Sequence, residues 1–179
     1  MLGELPLPVP CSLFPVPYLS ALRMKYRILW IGSNADTEFR EAIERYRDRV
    51  RHFFPVEIIE VAAERNRQKK SDSEVMHAES QRLLKALPRQ GSVVVLDERG
   101  KSMTSLKFAA WLQDETNRNP HGVTFVLGGD LGLDDAVRGR GDLIMSLSAM
   151  TLPHQLARVV VLEQIYRACT LMRNIRYHK

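Results

Sequence analysis

Three polar turns, each directly behind a short apolar run, hold the residues that could do chemistry. Asp97-Glu98-Arg99-Gly100-Lys101 follows Ser92 to Leu96, Gly128-Gly129-Asp130-Leu131-Gly132 follows Val123 to Leu127, and Ser148-Ala149-Met150-Thr151-Leu152-Pro153 follows Leu143 to Leu147. In an open parallel α/β sheet, ligands bind at such turns, outside the carboxyl ends of the strands. Glycines at 128, 129 and 132 lack Cβ atoms, so they either let backbone amides approach a ligand or make a tight strand-to-helix turn. Ser148 and Thr151 are likewise open to two roles, contacting a ligand or forming a turn in which Thr151 or Leu152 caps the helix behind Pro153. The glycine run is not the dinucleotide fingerprint, because its first glycine is followed by another and its strand is the fourth rather than the first. The chain has no Gly-x-x-x-x-Gly-Lys-Ser/Thr loop, no His-Glu-x-x-His helix and no Gly-x-Ser-x-Gly elbow, which disfavours nucleotide hydrolysis, zinc hydrolysis and serine esterase chemistry.

The elements that must position these turns alternate strand and helix at the spacing of a parallel α/β sheet. Strands are expected at Tyr26 to Ile31, Val56 to Ala62, Ser92 to Leu96, Val123 to Leu127 and Leu143 to Leu147. A helix from about Ala35 to His52 carries Phe39, Ile43, Tyr46, Val50 and Phe53 on one face, and Pro55 stops it. Others are expected over Asp72 to Leu87, Thr104 to Asn117, Leu133 to Arg138 and Pro153 to Arg173. The last is apolar on so many sides that it needs cover from more than one direction. Glu64 to Lys70 has no apolar periodicity and reads as a mobile basic loop, and Asp97 to Lys101 reads as a turn.

With 179 residues, 45% of them hydrophobic and 26% charged, the chain suits one globular domain with a core large enough to need no staples. Cys11 and Cys169 have no zinc-like spacing and read as reduced thiols, which points to a cytoplasmic protein. The net charge of +5 is compatible with a polyanionic partner such as nucleic acid. Residues 1–23 contain five of the nine prolines and only two charges, so they read as a non-folding extension with Met24 as the natural beginning and 24–179 as the domain. They lack the basic start and unbroken apolar run of a signal peptide, a targeting role being the alternative, and no segment approaches a membrane span.

The block from Met145 to Arg158, the run Glu163-Gln164-Ile165-Tyr166-Arg167-Ala168 and the ending Tyr177-His178-Lys179 form an ordered set with Val95 to Lys101 and Leu127-Gly128-Gly129. Over about Lys25 to Lys179 this set resembles the small SPOUT methyltransferases that modify pseudouridine in large-subunit ribosomal RNA. The resemblance implies a single-domain α/β fold whose C-terminal segment threads a deep trefoil knot, a departure from the usual absence of threading. It also implies binding of S-adenosylmethionine, no metal, a homodimer and action on assembled ribosomes. Its cofactor contacts carry over to Leu96, Gly128, Leu147, Ser148, Ala149, Met150, Thr151 and Leu152. Among these, Leu96, Leu147, Met150 and Leu152 would wall the flat slot that an adenine needs. Asp130 departs from the family pattern, in which the position after the paired glycines is more often small or proline.

The implied nucleophile is ring nitrogen 3 of pseudouridine, which must lose a proton, so a base or a nearby cation would help. His154, Arg158, Tyr177 and His178 are the candidates, histidine being best matched to neutral pH. The bland alternatives are a satisfied histidine at a helix start and a frayed terminus. Arg65, Arg67, Lys69, Lys70, Arg138 and Arg140 are candidates for phosphate contact, or else a solvated surface. Methylation of pseudouridine at ring nitrogen 3 is thus expected, ahead of a related transfer-RNA methyltransferase or a non-catalytic ribosome-binding protein.

Overall fold

The computed structural model describes residues 24–33, 38–65 and 67–177. The Pro-rich extension and His178 lie outside them. Five parallel strands, β1 (Tyr26–Ile31), β2 (Val56–Val61), β3 (Ser92–Ser102), β4 (Val123–Leu127) and β5 (Leu143–Ser146), form one sheet in the order β2-β1-β4-β3-β5. Helices α1 (Arg40–Arg51), α2 (Asp72–Ala86), α3 (Ser105–Arg118), α4 (Asp135–Arg138) and α5 (His154–Met172) cover it, so the expected α/β class is the one observed.

Alternation along each strand feeds two cores. Ile28, Trp30, Val94, Phe125 and Met145 pack with Ile43 of α1, Leu112 of α3 and Leu162 and Ile165 of α5. On the opposite face Leu29, Ile31, Val93, Val95 and Val126 pack with Leu83 of α2 and Val137 of α4. Helix α5 lies against both α1 and α3 as well as the sheet, which explains its nearly all-round apolar sequence. Among the described residues, no helix is long and apolar enough to cross a membrane.

Three local expectations are corrected. Residues 97–101 are not a simple turn, because β3 continues to Ser102 after bulging outward, with Leu96 and Lys101 both registered on Met145 of β5. Gly100 permits this, since a Cβ there would lie 2.6 Å from the backbone carbon of Met145. Among the described residues of 64–70, Arg67–Lys69 form a 3₁₀ turn and buried Glu64 pairs with Arg82 and Lys70, so ordered, ion-paired backbone stands where a mobile loop is expected. Helix α1 starts at Arg40 behind a turn at Glu38 and Phe39, with no side-chain cap.

Because all strands run the same way, the β3 bulge and the segments after β4 and β5 lie at one edge of the sheet. The order β4-β3-β5 makes them neighbours.

Candidate functional site

Those three segments enclose a cavity of about 710 Å³, within the roughly 300–1,000 Å³ usual for small-molecule sites. Leu96 to Arg99 line it from β3, Leu127 to Leu133 from the glycine loop, and Ser146 to Ser148 and Met150 to His154 from the loop after β5, with Arg138 and Ala157 completing the wall. Of the cofactor contacts expected from sequence, Leu96, Gly128, Leu147, Ser148, Met150, Thr151 and Leu152 all face this cavity. Ala149 does not. Met150 is 76% exposed and therefore forms the rim.

The local chemistry of each loop is settled by close contacts. A Cβ on Gly128 would lie 2.6 Å from the carbonyl oxygen of Gly132, so glycine is needed there by the tight backbone turn. Gly132 takes φ +77° and has open space where a side chain would go. Ser148 is a turn former, accepting from the Met150 N–H at 3.0 Å, while Ser146 donates to the Ser148 carbonyl at 2.7 Å. Neither Thr151 nor Leu152 caps α5: Pro153 stands at the cap position without a side-chain bond, and Thr151 instead donates to Glu98 at 3.4 Å.

Ion pairs fasten the loops to one another. Arg138 of α4 bonds Asp97 in the β3 bulge at 2.8 Å and Asp135 at 2.9 Å. Burial alone would raise the Asp97 carboxyl, but the Arg99 backbone N–H and the Arg138 guanidinium bring it below the ordinary carboxylate range. Across the cavity Asp130 is shared. Its Oδ2 accepts from Arg67 at 2.7 Å and its Oδ1 lies 2.7 Å from Nδ1 of His154. The Arg67 hydrogen bond is the main reason that the Asp130 carboxyl is also held below its ordinary value. The second guanidinium nitrogen of Arg67 reaches Oε1 of Glu79 at 3.2 Å.

The four residues considered for catalysis occupy different places. His154 lines the cavity. Arg158, one turn further along α5, is 2% exposed and points away, donating to the backbone carbonyls of Ile31 at 2.5 Å and Ser33 at 3.1 Å over the face of Trp30. Burial pulls its guanidinium below the usual value. Tyr177 folds back on α5: its ring meets Tyr166 at 4.8 Å, Arg167 lies over it, and its hydroxyl donates to Glu163 at 3.3 Å. Burial, followed by hydrogen bonding with Tyr46, pushes its phenol up to about 12. His178 lies outside the described residues.

Of the basic residues, Arg67, Lys70 and Arg138 are committed to carboxylates, whereas Arg65, Lys69 and Arg140 are exposed. Sequence reasoning missed Glu79, whose side chain is 2% exposed and which carries the far end of this network. A signal was present, because Glu79 interrupts the four-residue spacing of Val75 and Leu83, placing a carboxylate on the buried stripe of α2.

The sequence profile of a family described as "Predicted SPOUT methyltransferase" matches residues 24–178. A protein of Geobacter sulfurreducens named Ribosomal RNA large subunit methyltransferase H is 41% identical over 156 residues, covering 87% of this chain and 99% of its own. One of the same name from Streptococcus equi subsp. zooepidemicus is 36% identical over 159 residues, covering 87% of this chain and 100% of its own. Among solved structures, a probable methyltransferase from Bordetella pertussis Tohama I shares the fold, with a TM-score of 0.54 at 12% identity, covering 85% of this chain and 98% of that one.

Proposed function

This chain belongs to the SPOUT methyltransferase family, and from that premise we propose that it methylates ring nitrogen 3 of a pseudouridine in large-subunit ribosomal RNA, using S-adenosylmethionine. The observation that carries the reading is the convergence on one cavity of the three loops expected to hold the cofactor. Relatives named for the large ribosomal subunit favour this substrate over transfer RNA.

The residues present suit the cofactor. Leu96, Leu147 and Leu152 supply apolar walls, and the Gly128 to Gly132 turn brings backbone close to the cavity without side chains in the way. Bound there, S-adenosylmethionine would supply a methyl group on a sulfonium, a reaction that needs alignment and exclusion of water rather than a metal. The position of His154 on the cavity wall supports a role for it in taking the proton from the ring nitrogen. Arg158 acts by holding the carboxyl end of β1 in place beneath the site. The adjacency of the segments after β4, β3 and β5 supports the knotted threading proposed for the chain beyond β5.

Tyr177 touches Tyr166, twelve residues beyond His154 on α5, which is about 18 Å along the helix axis. The terminal Tyr177-His178 pair would therefore serve the site of a second copy, in a homodimer working in the cytoplasm. Exposed Arg65, Lys69 and Arg140 would contact RNA phosphates.

The test compares ribosomal RNA from cells with and without the gene by mass spectrometry, then supplies purified protein and S-adenosylmethionine to the undermethylated ribosomes. One methyl group should be missing without the gene and restored by the protein. Identical ribosomal RNA in both strains would overturn the reading.

A further inference from the structure

The proposed base is held by a chain of charged groups that the reaction itself does not require. Glu79 lies within the α2 packing face, its side chain 2% exposed, with Oε1 accepting from the Glu64 backbone N–H at 2.9 Å and from Arg67 at 3.2 Å. Its other oxygen, Oε2, is buried without a hydrogen-bond partner among the described residues, and a Cβ on Gly129 would lie only 3.0 Å from it. Arg67 spans the gap from this buried carboxylate to Oδ2 of Asp130 in the glycine loop, and Oδ1 of Asp130 faces Nδ1 of His154 at 2.7 Å. Each terminal nitrogen of the Arg67 guanidinium thus meets a carboxylate, and each oxygen of Asp130 meets one nitrogen.

We propose that Asp130 is a positioning residue for the methyl transfer, fixing His154 in the tautomer with hydrogen on Nδ1 and so leaving Nε2 as the proton acceptor in the cavity. This rests on the reading of His154 as the base. An ionised carboxylate repels a nitrogen lone pair, so the approach of Oδ1 to within 2.7 Å of Nδ1 favours the neutral tautomer with hydrogen on that nitrogen. The other ring nitrogen then has a lone pair. When the ring nitrogen of the substrate gives up its proton, that proton goes to Nε2, the neutral imidazole becomes an imidazolium, and Asp130 stabilises the new charge. Arg67 contributes by keeping Asp130 ionised and oriented, and Glu79 by anchoring Arg67 to α2.

The network joins residues far apart in sequence, 67, 79, 130 and 154, from four different segments. It also gives Asp130 a role that its position after paired glycines does not suggest. Without Arg67, the half-exposed carboxylate would keep only its contact with His154.

The experiment uses the full-length protein with Asp130→Ala, Asp130→Asn and Arg67→Gln. The first readout is nitrogen-15 correlation spectroscopy of the His154 ring without any ligand, assigned with His154→Asn, at a pH where the imidazole is neutral. Wild type should show the hydrogen on Nδ1, and Asp130→Ala should lose that preference. The second readout is single-turnover methyl transfer to undermethylated ribosomes, with cofactor affinity measured by calorimetry. Asp130→Ala should slow transfer by about tenfold or more while cofactor affinity stays near wild type. Asp130→Asn, which offers an oxygen but no charge, should keep more of the tautomer preference than of the rate.

Unchanged His154 ring signals in Asp130→Ala, or a rate within about twofold of wild type, would overturn the proposal. Should wild type itself transfer no methyl group, the functional reading fails, and the ring signals still decide whether Asp130 sets the tautomer. If Asp130→Ala does not fold, the Asn and Gln variants carry the same two readouts.

Discussion

Replacing Arg158 with methionine separates a positioning role from direct contact with substrate. The side chain is 2% exposed and its two terminal nitrogens donate to the carbonyls of Ile31 and Ser33. Methionine keeps most of the volume but removes both donors. The Ile31 carbonyl is then left buried without a partner, at a cost of about 1–3 kcal/mol, whereas the partly exposed Ser33 carbonyl can turn to water and loses less. Loss of the cation over Trp30, 4.9 Å from the ring centre, adds about 1 kcal/mol. Against this stands relief from burying a charge, the effect that also lowers the Arg158 pKa. The net expectation is a loss of about 1–3 kcal/mol, which for a chain of this size lowers Tm by about 2–12 °C. Urea unfolding at constant m-value measures it, and calorimetry should find cofactor binding close to wild type in the folded variant. A methionine variant as stable as wild type would refute this reasoning: desolvation would then outweigh the two hydrogen bonds, and the arginine would need a functional reason to be there.

Gly128→Ala should destabilise the protein by about 1–3 kcal/mol and weaken cofactor binding, because the added methyl would press on the Gly132 carbonyl; wild-type values in both assays would remove the turn argument. Acidification should unfold the chain with a contribution from Asp97 and Asp130, both held below the ordinary carboxylate value. Their stabilisation is complete above about pH 4 and is lost as pH falls toward their lower folded values, so Asp97→Asn combined with Asp130→Asn should flatten the fall in urea midpoint below that pH. Parallel curves for wild type and variant would contradict the assignment. Removing residues 177–179 should cost about 1–2 kcal/mol through the lost Tyr166 and Arg167 contacts, and should lower methyl transfer about 100-fold, equivalent to about 2.7 kcal/mol. A truncated enzyme with wild-type turnover would remove the terminus from the mechanism.

The apolar runs and the helical periodicity determined the five strands, their parallel α/β class and the turns behind β4 and β5, because side-chain period reports directly which face of an element meets a core, whereas residues 97–101, read as a turn, continue β3 through a bulge. The motif set determined the family, since its residues recur in fixed order along the chain. Glycine at 128 was legible, but whether it served a ligand or a turn was not: that depended on Gly132, whose carbonyl arrives from the other side of the loop. Likewise His154 was visible as a candidate base and Arg158 as its neighbour, yet one turn of α5 puts the first in the cavity and the second beneath the sheet edge. The fate of the charges was the least legible. Arg67 and Arg138 have the sequence appearance of free cations, and only the packing of α2 and α4 beside the loops turns them toward Asp130 and Asp97. Ion pairs of this kind join residues 63 and 41 positions apart, a separation that carries no local pattern, so their partners were decided by tertiary structure alone.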